Sequence, residues 1–263
     1  MSNLAVQAEN DIFTQWLLTI EARFSIQIDE SRQEAFRVVL QRFAESLAGD
    51  LSVLEQRRAG GLITPEQWDV ILHLATNHET RFFRSPTSIQ RIVELCSGVT
   101  SPKILSVGCS SGEEPYSIAS ALLDAGHATF RILGTDVSAV CIETARHGLY
   151  PYHPRVSRRA AVQTRDGRLR FHQFVKNMVS FEQHNILQDR PPGISTPDII
   201  ITQNMLIYYR PETRFEILNR LCSMLPPGGH LLTGPGETLN WRNSAMARTL
   251  DSTPNAFKRS NNV

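Results

Sequence analysis

Apolar residues recur at helical spacing through the first ~85 positions. Asn10 to Phe24 reads as an amphipathic helix, and a second follows Asp29 and Ser31, with Phe36, Val39, Leu40, Phe43 and Leu47 on one face. Ser31 with Glu34 three positions on has the form of a capping box. Gly60-Gly61 breaks the pattern, and Thr64-Pro65 restarts it, with Thr64 as N-cap and Pro65 at the first helical position, through Leu74. Ser85-Pro86 opens a further helix that Gly98 ends.

After residue 100 the period changes. Apolar runs at 103–107, 130–135, 198–202 and 229–233 predict strands, alternating with helices predicted at 113–124, 137–147 and 211–225. Such alternation implies βαβ units and a parallel sheet. Residues 150–180 interrupt the rhythm with short alternating runs, Leu169 to Phe174 and Asn177 to Phe181, and Asp166-Gly167 as a hairpin-turn signal. They predict an inserted antiparallel β element beside the main sheet. The tail from about Ser252 is polar and reads as partly disordered.

Composition narrows this little. Of 263 residues 41% are hydrophobic and 20% charged, with a formal net charge of +1, so nothing in the overall balance calls for a nucleic-acid or membrane partner. No run approaches the ~18 apolar residues of a membrane span, and no basic, apolar leader is evident. Cys96, Cys109, Cys141 and Cys222 lack any paired metal-ligand spacing and read as buried thiols in a reducing cytoplasm. The arginines at 155, 158, 159, 165, 168 and 170 form a local basic cluster; no nucleic-acid motif accompanies them, so a solvated face or a dock for an acidic helix is the better expectation.

The chemistry concentrates at Ser106-Val-Gly-Cys-Ser-Ser-Gly-Glu-Glu-Pro-Tyr-Ser117, between a predicted strand and a predicted helix. A glycine turn there brings backbone close to a ligand. Glu113 and Glu114 would repel a pyrophosphate but accept hydrogen bonds from hydroxyls or an amine, so a nucleoside-type ligand fits better than a dinucleotide. Asp136 ends the strand after Arg131, where an acidic residue accepts from ribose hydroxyls; alone it could serve as a helix N-cap. Asn185 and Asn204 stand just past strands, either as turn residues or at a ligand. Cys109 has no base at a recognisable spacing and reads as a packing residue.

Asn77-His-Glu-Thr-Arg-Phe-Phe-Arg84, Gly108-Cys-Ser-Ser-Gly-Glu-Glu-Pro-Tyr-Ser117, Gly134-Thr-Asp136, Asn185-Ile-Leu and Gln203-Asn-Met-Leu-Ile-Tyr-Tyr209 occur in this order. Over about residues 10–258 the chain resembles the CheR-type chemoreceptor glutamate O-methyltransferases. The resemblance implies an α/β chain whose class I S-adenosylmethionine (SAM) domain is Rossmann-like with a mostly parallel sheet. It implies an N-terminal all-α domain with linker over 1–85, the SAM domain over 86–263, and the β-subdomain insertion at about 150–180. Carried over by motif, His78, Thr80, Arg84, Gly108, Glu113, Asp136, Asn185, Ile186, Gln203 and Asn204 are the cofactor-binding candidates. Thr80 and Arg84 fall at the methionine end, Asp136 at the ribose, and Asn185 and Asn204 beside the adenosine or the reacting centre.

The implied reaction gives a glutamate γ-methyl ester and S-adenosyl-L-homocysteine. The acceptor, with a reference pKa of about 4.3, is already ionised at pH 7, so no general base is expected. Arg81, Tyr208 and Tyr209 are candidates for positioning it, with a surface role for Arg81 and aromatic packing for the tyrosines as alternatives. The implied partner is the cytoplasmic helical domain of a chemoreceptor, docked through the 155–170 region, to a monomeric cytoplasmic enzyme; a flagellar and a pilus-linked (PilK-like) pathway are both open. His78 and Gln203 depart from the family's usual asparagine and arginine, and the family's glycine-rich receptor-tether loop is absent. Rival readings are a class I methyltransferase for nucleic acid or a small molecule, and a SAM-binding signalling module without turnover.

Overall fold

The computed structural model describes residues 3–47, 49–188, 191, 193–249 and 255–261. The chain divides into two compact units, Met1–Asn77 with Tyr208–Thr213, and His78–Ile207 with Arg214–Val263. His78 to Arg84, grouped by the sequence pattern with the helical region, thus belongs to the second unit.

The first unit holds α1 (Asn3–Phe24), α2 (Glu30–Ser46), α3 (Leu51–Ala59) and α4 (Pro65–Ala75). Its interior is built from Phe13, Trp16, Ile20, Phe36, Leu40, Leu54 and Ile71, the apolar stripes that helical spacing predicts. At the start of α4 the N–H of Gln67 donates to Thr64 Oγ1 at 3.3 Å and the N–H of Thr64 to Gln67 Oε1 at 3.1 Å, a reciprocal cap before Pro65. The start of α2 differs from expectation. Its cap is Asp29, whose Oδ1 accepts the N–H of Ser31 at 2.9 Å, so Ser31 lies within the first turn and does not form a box with Glu34.

The second unit contains α5 (Pro86–Cys96), β1 (Lys103–Val107), α6 (Glu113–Asp124), β2 (Arg131–Asp136), α7 (Ala139–His147), β3 (Leu149–Pro151), β4 (Ala161–Gln163), β5 (Arg168–Phe171), α8 (Gln173–Met178), β6 (Val179–Gln183), β7 (Ile199–Thr202), α9 (Pro211–Met224) from Arg214 onward, β8 (His230–Thr233), β9 (Met246–Arg248) and β10 (Ala256–Arg259). Seven strands form one sheet in the order β6-β2-β1-β7-β8-β10-β9. From β6 to β8 neighbours are parallel, with Leu105 opposite Leu133 on one side and Ile200 on the other; β10 is antiparallel to both β8 and β9. All four residues of β7 are buried, as a strand covered on both faces requires.

Two sequence expectations change. Val179–Gln183 is the parallel edge strand beside β2, not part of the insertion, and α8 precedes it. An edge strand of a covered sheet alternates in burial, so its pattern matches that of an antiparallel ribbon. The polar tail, where disorder is expected, instead contributes β10, slotted between β8 and β9; residues 252–254 lie outside the described residues.

The insertion is a three-stranded antiparallel sheet, β3-β5-β4, turned at Thr164–Gly167 with Gly167 at φ 79°. Alternation along β5 sends Leu169 and Phe171 inward and Arg168 and Arg170 outward. Phe171 stacks on Tyr116 of α6 with ring centroids 3.9 Å apart, and Phe82 meets Tyr150 edge-on at 5.1 Å. The small sheet therefore shares its core with the main sheet. Phe171→Ala should lower unfolding stability by about 3–5 kcal/mol in urea titration. An unchanged midpoint would mean that the small sheet folds independently of α6.

Candidate active site

From β1 the chain winds through β2 to the β6 edge, then returns to the other side of β1 with β7. The loops after β1 and β7 diverge at that reversal, the place where open α/β sheets hold ligands. The turn after β1 is shaped by close approach. Gly108 has φ 73°, its N–H donates to Thr135 O at 2.8 Å, and a Cβ on it would lie 2.8 Å from Met205 Cβ. Gly112 has φ 96°, and a Cβ there would meet Ala145 Cβ at 2.8 Å. A side chain at either position would displace the loop after β7 or α7.

Asp136 ends β2, and its carboxylate organises the turn. Oδ2 accepts the N–H of Ser110 at 2.8 Å and Oδ1 that of Ser138 at 2.9 Å. The N-cap of α7 is Ser138, whose Oγ accepts from Cys141 N at 3.2 Å, so Asp136 does not fill that role. Burial pushes the Asp136 pKa up against the two amides that hold it down. Each carboxylate oxygen carries two lone pairs, so acceptor capacity remains for a pair of ribose hydroxyls.

Glu113 opens α6 and accepts the Ser111 hydroxyl at 2.7 Å; burial raises its pKa. Ser111, Glu113, Ser110 and Asp136 form one rim, and Ser110 Oγ donates to His78 O at 3.1 Å, tying the first motif to it. His78 Nδ1 lies 3.1 Å from Cys141 Sγ. Thr80 is half-buried, and Arg84, though exposed, is fixed by a 2.7 Å bond to Glu79 O. Asn185 Oδ1 accepts Leu187 N at 3.0 Å, an Asx turn that exposes little of buried Ile186. Gln203 donates to Ser88 Oγ at 2.7 Å, which anchors it to α5 through a neutral contact. Asn204 is left-handed, φ 59°.

The candidates on the acceptor side are less concentrated. Arg81 is exposed. Tyr208 and Tyr209 belong to the segment of the first unit: Tyr208 O accepts from Gln27 N at 2.8 Å, the Arg32 guanidinium lies 5.9 Å from its ring, and Tyr209 is buried, an arrangement that favours packing. Cys109 is buried with its thiol pKa pushed well up, chiefly by desolvation, which removes nucleophilic character.

Two acids beyond these share the same edge. Glu114 accepts the buried Ser106 hydroxyl at 2.8 Å. Glu237, on the loop after β8, accepts the N–H of Leu206 at 2.8 Å and of Gly234 at 2.6 Å. The sequence offered Glu237 only as an acidic residue in a Gly-Pro-Gly turn, with no sign of amides donated from 31 positions upstream.

The donor set fits SAM: carboxylates for hydroxyls and an ammonium, a guanidinium for a carboxylate, and a glycine turn against the backbone. Fold, strand order and site define a class I SAM-dependent methyltransferase domain. Residues 78–256 match the CheR methyltransferase SAM-binding domain, and the chain belongs to that family. It is similar to a chemotaxis protein methyltransferase of Vibrio parahaemolyticus, 34% identical over 62% of this chain and 66% of that one. A chemotaxis protein methyltransferase of Borreliella burgdorferi is 28% identical over 84% of this chain and 80% of its own length. Chemotaxis protein methyltransferase 1 of Pseudomonas aeruginosa is 28% identical over 89% of this chain and 93% of its own. The chain thus spans about two thirds, 66%, of the Vibrio relative's length. SAM is the cofactor of the domain. Among the described residues no helix is long and apolar enough to cross a membrane.

Glu114 gives this edge a pH signature. Burial, with a smaller push from Glu237, raises its pKa from 4.5 to about 7, opposed by the Ser106 hydroxyl and Arg84. The folded state therefore holds this proton more tightly than the unfolded chain. That stabilisation is complete below the unfolded value of 4.5 and is lost as pH rises through about 7. Glu114→Gln removes the titration, so its stability relative to the parent should rise by on the order of 3 kcal/mol between about pH 5 and about pH 8. Urea titrations across that interval check this, and a pH-independent difference would refute it.

Proposed function

We propose that this chain transfers a methyl group from SAM to glutamate side chains of chemoreceptors, leaving γ-methyl esters that adjust sensory signalling. The observation that carries this reading is a carboxylate-lined glycine turn, Gly108 to Glu113 with Asp136, in a CheR-family chain whose relatives bear chemotaxis methyltransferase names. When bound, SAM supplies an electrophilic methyl group on a sulfonium.

The chain's own residues bind, orient and exclude water. Asp136 takes the ribose, and Glu113, Thr80, His78 and Arg84 take the methionine end. Asn185, Ile186, Gln203 and Asn204 line the adenosine and reacting side. Arg81 is the cation proposed to meet the incoming carboxylate. An ionised acceptor carries no proton to remove, so alignment suffices, and positioning of this kind accounts for roughly 7–11 kcal/mol of barrier. The raised pKa of Cys109 accords with a site that does not use its thiol as a nucleophile.

The receptor's helical cytoplasmic domain is the proposed partner of a monomeric, cytoplasmic enzyme. Arg155, Arg158, Arg159, Arg165, Arg168 and Arg170 are all exposed, and their common charge would steer an acidic helix. Receptor association should then weaken severalfold as salt rises from low to physiological, read by titration calorimetry; salt-independent association would remove the arginine face from the docking surface.

Labelled SAM with receptor cytoplasmic domains from the same source tests the activity. The expected product is labelled protein that releases methanol in mild base. A base-stable label, or label only on nucleic acid or a small molecule, would overturn the acceptor assignment, and binding without any transfer would make the chain a sensor.

A further inference from the structure

Glu237 has no solvent exposure. An ionised carboxylate at that depth is costly unless its lone pairs are filled. Here main-chain amides fill them: Leu206 donates to Oε1 at 2.8 Å and Gly234 donates to Oε2 at 2.6 Å, while the neighbouring amides of Asn204 and Met205 also help hold its pKa down. Three successive amides, 204 to 206, thus turn inward onto one side chain.

That convergence comes with a backbone cost. Asn204 sits at φ 59°, a region that non-glycine residues adopt at the expense of about 1 kcal/mol or more. Glycines clear the space around it. A Cβ at Gly234 would lie 2.5 Å from Glu237 Oε2 and 3.1 Å from Asn204 N, while Gly108 leaves room for Met205 on the opposite side. The loop after β7 is therefore clamped between the turn after β1 and the Glu237 carboxylate. Glu114 from α6, bonded to Ser106 of β1 and attracted by Arg84, is a second acid facing this region.

We infer that Glu237 is a positioning residue for methyl transfer, holding the 204–206 backbone so that Asn204 presents its side chain to the cofactor and acceptor. This rests on the proposed role of Asn204. A carboxylate suits the task because both of its oxygens accept main-chain amides and neither has to donate. Glutamine has the same shape, but its amide nitrogen would face N–H groups that need an acceptor.

The test is a double-mutant cycle with Glu237→Gln and Asn204→Ala, read by calorimetric SAM binding and by kcat and KM for SAM. Glu237→Gln should weaken SAM binding by about tenfold or more while keeping a cooperative melt, and should add little in the Asn204→Ala background. Amide exchange at 204–206 should speed up in Glu237→Gln more than elsewhere in the sheet. Additive losses, or unchanged binding in either single variant, would overturn the inference. If Glu237→Gln does not fold, exchange in the parent protein decides: slow amides at Asn204, Met205 and Leu206 support the clamp, and fast ones refute it. Because binding needs no acceptor, SAM binding without receptor methylation would defeat the acceptor assignment alone.

Discussion

The constraint on which this site depends is the close approach of three loops where the parallel strands end. Gly108 admits no side chain because Met205 occupies that space, and Gly112 admits none because α7 does. Those exclusions let the N–H groups of Gly108 and Ser110 reach Thr135 O and Asp136, so the loop after β1 is bonded to the end of β2, with Met205 of the loop after β7 packed against the turn. Neither glycine contributes chemistry. Each sets the distance at which the carboxylates stand from a ligand, and a displaced loop would move Asp136, Glu113 and Asn204 together.

The rim is dense in acids for a site that must hold a cation. Asp136, Glu113, Glu114 and Glu237 are all pushed toward protonation by burial, and all are held back by local donors. The donors differ in kind. Asp136 and Glu237 take main-chain amides, which do not ionise and fix geometry, whereas Glu113 and Glu114 take serine hydroxyls, which can rotate. The first pair therefore reads as framework, and the second as the responsive pair, able to change protonation when a sulfonium or an ammonium arrives.

Much of this was visible along the chain, and the failures have a common cause. Thr64, Pro65 and Gln67 act on neighbours within one turn, so the cap they form was readable. Asp29 and Ser31 are both capping residues two apart, and only the direction of the incoming chain chooses between them. Val179–Gln183 alternates like a ribbon strand although it pairs in parallel with β2, and Ala256–Arg259 becomes a strand because β8 and β9 receive it. Of the site, the motifs placed Glu113 at a helix start and Asp136 and Asn204 at strand ends; Glu237 was silent because its partner Leu206 lies 31 residues away.

The proposed chemistry asks no general base of such a rim. Esterifying a carboxylate with a sulfonium methyl joins an anion to a cation and leaves neutral products, so charge disappears along the reaction. Water favours the separated charges, and a site that excludes it removes that preference. Fixed acids close to the methyl would restore it by holding the cation. Asp136 and Glu237 are screened by main-chain amides, and partial protonation of Glu114 near pH 7 leaves less negative charge to oppose an incoming glutamate. Burial that looks costly for each acid taken singly is, for a reaction that annihilates charge, the condition that lets the acceptor be the dominant anion near the sulfonium.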